Sequence, residues 1–321
     1  GFTMGAGANV NAFFGVMTMA IAVPTGVKIF NWLFTMYGGR VRFTTPMLWF
    51  MGFVATFTVG GVAGVIMAIP PADFQLHNSL FLVAHFHTMI IGGVVFGYFA
   101  GLTYWFPKFF GFKLNERLGR YAFYGWFFGF LFAFVPLYIL GLMGATRRLD
   151  HYDASLGWQW LFIVAAFGVG LVLLGIGFQV LQLIVSIRQR HQNIDITGDP
   201  WNGRTLEWST VSPPTAYNFA QIPDGSKRDA YWQMKKDKTA TTEQKYESFL
   251  MPRNTIMPAV IGALGFAMGF GMIWHMYWLA IIGVLAIVIC LVVRTSVPEH
   301  EYVLGAAAVR KNEEALKERF A

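Results

Sequence analysis

Cysteine is nearly absent from this chain: Cys290 is the only one in 321 residues. Disulfides within the chain and thiolate metal clusters are therefore excluded. Charge is also scarce. Asp, Glu, Lys and Arg make up only 13% of the residues, against about 25% in an average soluble domain, which rules out a chain bathed in water along its whole length. The opening Gly1-Phe2-Thr3-Met4-Gly5 has no initiator methionine, signal peptide or transit segment, so a further part upstream is expected.

What replaces charge is apolar bulk. Hydrophobic residues reach 55%, aromatic residues 17%, and the mean hydropathy is +0.50. Runs long enough to cross a hydrocarbon layer of about 30 Å, which takes about 20 helical residues, occupy 11–36, 45–69, 79–106, 121–143, 157–187, 255–275 and 277–294. The expected fold is an all-α, polytopic transmembrane helix bundle with about seven spans. The last boundary, at His275 and Met276, is the least well marked.

Charge placement orients the bundle. With the first residues outside, the inner segments are 37–44, 107–120, 188–254 and the tail after 294, and they hold all but three of the 24 lysines and arginines. This satisfies the positive-inside rule. The pI near 9.5 thus reports membrane orientation, and nothing in it supports a nucleic-acid partner. The organisation that follows is transmembrane helices over 1–187, a cytoplasmic loop over 188–254, two further spans over 255–295 and a cytoplasmic tail over 296–321. Within the loop, the glycine, proline and tryptophan content of 198–214 indicates an ordered cap, while 224–248 is charge-rich and reads as the least ordered stretch.

Two histidines, His85 and His87, fall inside the third span. Each helical residue turns about 100°, so the two imidazoles point roughly 200° apart and cannot share one metal. The i, i+4 spacing would put two ligands on one face; i, i+2 suits a helix standing between two large cofactors, each taking one axial nitrogen. The alternative is that one imidazole is a core residue bonded to a backbone carbonyl and the other faces a cavity.

The three basic residues outside the inner segments are Lys28, Arg147 and Arg148. Lys28 lies within the first span, where a lysine costs roughly 2.5–3.5 kcal/mol at a helix centre and usually faces a pathway. Thr25 shares its side of the helix, and together they read as part of a proton route; otherwise Lys28 snorkels to the inner boundary. Asp73 and His77 precede the two-histidine helix at its outer mouth, placed to hold cofactor carboxylates, or else exposed in a loop. Arg147 and Arg148 sit at the same face, where guanidinium can pair with a carboxylate in bidentate fashion. Their alternatives are lipid phosphate, or pairing with Asp150 and Asp153. The small-residue run from Gly60 to Gly64 in the second span, and Thr56 and Thr58 beside it, permit close helix approach and carry no assigned chemistry.

Taken in order, Val27-Lys28-Ile29-Phe30, Ala84-His85-Phe86-His87, Arg147-Arg148, the run from Gly198 to Trp208 and Ser212-Pro213-Pro214 closely resemble subunit I of the haem-copper terminal oxidases. Within that family they look most like the bacterial bo-type ubiquinol oxidases. The resemblance implies His85 on a high-spin haem iron, His87 on a low-spin one, Lys28 and Thr25 in a proton channel, and Asp73, His77, Arg147 and Arg148 around the haem propionates. It also implies two haems of b and o type, a copper B whose ligands lie upstream of this chain, ubiquinol as substrate, and partners comprising the upstream half of subunit I, oxidase subunits II, III and IV and membrane lipid. The location implied is the bacterial inner membrane. Cytochrome c oxidases of this family carry His-Asp where this chain has His77-Asn78, and the aspartate helps bind magnesium; asparagine is the poorer ligand for a hard cation. A cytochrome c oxidase, a haem-free ion-coupled transporter and a non-catalytic membrane scaffold are the competing readings.

Overall fold

The computed structural model describes residues 2–237, 246–297 and 300–320. It divides into two compact units, Gly1–Pro200 and Trp201–Ala321, so the division falls inside the stretch expected to be a single loop.

In the first unit, α1 (Ala8–Ala20) and α2 (Ala22–Met36) form one span broken at Ile21. Pro24 explains the break, because it has no N–H to give to the carbonyl four residues back. The second span, α3 (Thr45–Ala68), starts on Pro46 in its first turn, where a missing N–H costs nothing. The short helix α4 (Pro70–Leu76) then leads through Asn78, at φ 57°, to Ser79, whose hydroxyl accepts the N–H of Phe81 and caps α5 (Leu80–His87). Directly after His87 the helix widens to π geometry over Thr88–Val95 and returns to α geometry in α6 (Phe96–Phe110). Periodicity predicted an uninterrupted α-helix here. The wider turn is accommodated by Gly92 and Gly93, which let α3 close in: a Cβ on Gly92 would stand 2.6 Å from Thr56, and the Thr56 hydroxyl donates to the Gly92 carbonyl at 2.9 Å.

The unit is completed by α7 (Glu116–Leu142) and α8 (Gln159–Arg188). Its centre is aromatic: Trp49 of α3 packs edge-on against Phe96 and Phe123, each with ring centroids 5.3 Å away. α7 and α8 meet backbone to backbone. A Cβ on Gly168 would overlap the Ala133 amide, and one on Gly175 would lie 2.6 Å from the Trp126 amide. Because lipid offers no hydrophobic reason for two helices to associate, such small-residue contact carries the packing.

The second unit holds α9 (Ala230–Asp237), β1 (Phe249–Pro252), α10 (Met257–Ile273), α11 (Tyr277–Ser296), β2 (Glu301–Leu304) and α12 (Ala306–Phe320). The strands pair antiparallel, Phe249 opposite Leu304 and Pro252 opposite Glu301, and clip together the two ends of the α10–α11 hairpin. This two-stranded ribbon is the one departure from the expected all-α character among the described residues. The charge-rich stretch is more ordered than expected where described: α9 forms within it, Lys235 donates to the Gly203 carbonyl at 2.8 Å, and Arg204 pairs with Asp229 at 2.6 Å. Residues 238–245 of that stretch lie outside the described residues. Tyr217 stacks flat on Phe249 and donates its hydroxyl to Glu313 at 2.8 Å. Burial first, and the neighbouring Glu313 carboxylate second, push its phenol up to about 12.

Among the described residues six helices are long and apolar enough to cross a membrane: Ala8–Met36, Thr45–Ala68, Leu80–Phe110, Glu116–Leu142, Gln159–Arg188 and Tyr277–Ser296. The seventh expected span is α10, which is apolar but has only 17 residues, at the short end of the spanning range of about 17–25.

The glycine contacts make a testable contrast on one helix. Gly168→Ala and Gly175→Ala should each destabilise the chain by about 1–3 kcal/mol through overpacking. Gly170→Ala and Gly177→Ala, where an added Cβ meets nothing within 4 Å, should leave it unchanged or slightly steadier. Thermal unfolding of the four variants in detergent measures the difference.

Candidate functional site

The two histidines of α5 leave the helix in opposed directions, and each is held at the same ring atom. His85 turns toward α3, where its Nδ1 bonds the Gly60 carbonyl at 3.0 Å. His87 turns toward α7, stacking on Phe134 with centroids 4.6 Å apart, and its Nδ1 bonds the Val83 carbonyl at 2.8 Å. A carbonyl only accepts, so each Nδ1 carries the proton and each Nε2 keeps its lone pair. Among the described residues neither Nε2 makes a hydrogen bond. An imidazole tied by one nitrogen and open at the other is the arrangement in which a metal-ligating histidine is oriented. Both parts of the alternative reading describe this geometry as well, since His87 is bonded to a backbone carbonyl and His85 faces a cavity. The bond to the carbonyl settles the tautomer and leaves the second nitrogen for use.

That cavity has a volume of about 890 Å³, and its wall includes Thr25, Thr58, Gly64, Asp73 and His85. Its size is within the range of about 300–1,000 Å³ typical of sites for large ligands. Gly64 gives the His85 ring its room, because a Cβ there would come within 2.9 Å of the ring carbon Cε1. The Gly60–Gly64 run therefore does more than pack helices: one glycine supplies the carbonyl that orients the imidazole and the other the space it fills. The four-residue spacing placed both on one face, but nothing local to α3 points to a histidine some 20 residues on.

Asp73 sits on the cavity wall, 8% exposed, and its Oδ2 has no hydrogen-bond partner. His77 is its ion-pair neighbour by distance, with Nδ1 3.9 Å away and Nε2 3.0 Å from the Thr3 hydroxyl. A buried carboxylate oxygen left bare is costly, so a hydrogen-bond donor from beyond the described residues belongs there. Arg147 joins the same corner through the backbone, its amide donating to the Asn78 carbonyl at 2.8 Å and its side-chain Nε to Asn78 Oδ1 at 3.0 Å. Asp150 and Asp153 do not take up the arginines. Asp150 lies 3.0 Å from His151, and Asp153 caps the Ser155 amide, whose hydrogen bond holds its carboxyl below the usual range. Arg148 is exposed, at φ 70°.

Lys28 stands apart from this cluster. Thr25, Gly26 and Ile29 of α2 line the cavity, whereas Lys28 lies on an exposed flank of the same helix. The Thr25 hydroxyl itself donates to the Ile21 carbonyl at 2.9 Å.

Residues 1–195 match the family model described as Cytochrome C and Quinol oxidase polypeptide I. The chain belongs to that family. Among its relatives, the cytochrome bo(3) ubiquinol oxidase subunit 1 of Buchnera aphidicola subsp. Baizongia pistaciae is 53% identical over 98% of this chain and 48% of its own length. The ubiquinol oxidase subunit 1 of Acetobacter aceti is 52% identical over 97% of this chain and 48% of its own. A probable cytochrome c oxidase subunit 1 of Bradyrhizobium diazoefficiens is 53% identical over 97% and 47% respectively. The chain thus spans about half the length of the curated relatives it matches. A cryo-EM structure of a heme-copper terminal oxidase dimer shares the fold, with TM-score 0.50 and 21% identity over 58% of this chain and 38% of that one. Membership in the polypeptide I family gives the transporter reading no support and implies haem and copper as cofactors of the family.

The residues present fit a haem: an imidazole nitrogen faces away from the helix on each side of α5, a bare carboxylate oxygen of Asp73 lies on the cavity wall, and the half-buried Arg147 is tied to the turn that follows Asp73. If the Gly64 gap seats the His85 ring, Gly64→Ala should lower haem content or shift the optical spectrum of the assembled complex. Gly61→Ala, whose Cβ meets nothing within 4 Å, should match wild type. Identical spectra in both would mean α3 does not place the ring.

Proposed function

We propose that this chain is part of the catalytic subunit of a proton-translocating ubiquinol oxidase that reduces dioxygen to water. The observation that carries this reading is the pair of opposed imidazoles, His85 and His87, each tied at Nδ1 and open at Nε2. The resemblance to ubiquinol oxidase subunits supports it.

In this reading His85 offers its Nε2 to a high-spin haem on the cavity side, and His87 offers its own to a low-spin haem on the α7 side. When bound, the haems would supply one-electron transfer and the binding of dioxygen. Phe86, between the two histidines, packs tilted against the His87 ring with centroids 4.4 Å apart, on the ring that Phe134 also stacks against. Arg147 and Arg148 neutralise propionate charge, and Asp73 shares a proton with a propionate or with water at its bare oxygen. Haem b and haem o types, copper B ligated outside this chain, and oxidase subunits II, III and IV complete the assembly in a bacterial inner membrane, with the 188–254 segment and the tail cytoplasmic.

Lys28 and Thr25 belong, in the same reading, to a proton route from the inner side. The flank of α2 that bears Lys28 is uncovered by the described residues, and a lysine at such depth is better met by a polar path than by lipid. A neutral lysine can accept and pass on a proton, which neither methionine nor a permanently charged arginine can do.

The runner-up is a cytochrome c oxidase, favoured by the Bradyrhizobium relative. Oxygen uptake by the complete complex separates the two: ubiquinol should drive it and reduced cytochrome c should not, and the opposite result would reassign the donor. For the proton route, Lys28→Met should assemble with both haems yet reduce its high-spin haem at least about tenfold more slowly, the low end of the 10²–10⁴ range for a positioned proton carrier being relaxed for partial bypass. Stopped-flow reduction at the wild-type rate would leave Lys28 a snorkelling residue.

A further inference from the structure

We propose that Asn78 is a positioning residue for Arg147: it holds the guanidinium by Nε so that the two terminal nitrogens face a carboxylate of the bound haem. The proposal rests on the reading that Arg147 meets such a carboxylate, and it adds the residue that aims it.

The backbone builds the contact. Ser79 and Thr146 form an antiparallel bridge, Leu80 donates to the Ala145 carbonyl at 2.9 Å, and Arg147 donates to the Asn78 carbonyl at 2.8 Å. These bonds lock the turn before α5 to the exit of α7, and they leave the Asn78 side chain beside that of Arg147. Asn78 itself sits at φ 57°, in the left-handed region that asparagine and glycine adopt most readily. From there its Oδ1 accepts the Arg147 Nε–H at 3.0 Å.

Two chemical consequences follow. A guanidinium has five N–H donors in a rigid fork, and spending the Nε–H on Asn78 fixes the plane while the edge formed by the two terminal nitrogens stays free, the edge that grips a carboxylate in bidentate fashion. Moreover the amide is neutral. An aspartate could accept the same hydrogen bond but would cancel the charge of Arg147, whereas asparagine orients the cation and leaves its full charge for the haem. Among the described residues neither nearby carboxylate pairs with the fork: Asp150 lies 3.0 Å from His151, and the ion-pair neighbour of Asp73 is His77, at 3.9 Å.

The test is a redox titration of the haems in the complete oxidase carrying Asn78→Gly, Arg147→Gln and the double variant. Glycine tolerates the left-handed backbone and keeps the main-chain bond, so it deletes only the side-chain acceptor. Arg147→Gln should lower the midpoint potential of one haem, because an uncompensated carboxylate disfavours adding an electron. Asn78→Gly should lower the same potential, and the double variant should match Arg147→Gln alone, the non-additivity expected when one residue acts through the other. An Asn78→Gly potential equal to wild type while Arg147→Gln shifts it, or effects that simply add, overturns the positioning role and leaves the carboxylate reading standing. No shift in Arg147→Gln overturns both. Should Asn78→Gly not assemble, Asn78→Ser removes the amide acceptor without adding charge; both haems bound with a lowered potential supports the proposal, and an unchanged potential overturns it.

Discussion

Two hydrogen bonds to backbone carbonyls, His85 to Gly60 and His87 to Val83, decide what the centre of this protein can do. An imidazole with a free Nδ1 could rotate, change tautomer or turn its lone pair inward. With Nδ1–H committed, the one remaining lone pair has one direction, and the i, i+2 spacing sends the two directions to opposite sides of α5. One bond is local, from His87 to the carbonyl four residues earlier. The other is tertiary and depends on how near α3 comes.

That nearness is built from absent side chains. Gly64 on α3 admits the His85 ring and Gly60 the side chains of Thr88 and Met89, Gly92 and Gly93 in the π segment admit Thr56 and Phe57, and Gly141 of α7 lies against the Phe81 backbone of α5. In a bundle with so little charge, helices cannot be held by ion pairs, and van der Waals contact at close range takes that place. The same constraint accounts for the π segment. A wider turn leaves backbone carbonyls imperfectly placed, and the buried Thr56 hydroxyl satisfies the Gly92 carbonyl at 2.9 Å. π turns occur often at functional sites, and this one begins at the residue after His87.

Much of this was legible from the chain alone where the signal was local or periodic. The hydrophobic runs gave the spans to within a few residues, and the opposed histidines followed from helix geometry. What escaped was tertiary. Nothing near Gly60 says that its carbonyl will meet His85, and Asn78 reads as a substitute in a cation site until Arg147 is seen beside it. The ribbon of Phe249–Pro252 with Glu301–Leu304 was invisible because its partners are separated by two apolar helices, and short strands have no period to detect. The charged stretch containing α9 looked unstructured because its order comes from pairing with the glycine-rich turn near Gly203. Lys28 is the opposite case: its burden in a membrane was plain from sequence, but the described residues leave its side of α2 uncovered, so its surroundings come from outside them.

The central claim, one ligand for each opposed imidazole, is tested most directly by optical and carbon monoxide difference spectra of the assembled complex carrying His85→Ala or His87→Ala. The account predicts that His87→Ala removes the low-spin signal and keeps carbon monoxide binding, while His85→Ala removes carbon monoxide binding and keeps the low-spin signal. Loss of both signals together in each folded variant, or of neither, would contradict it.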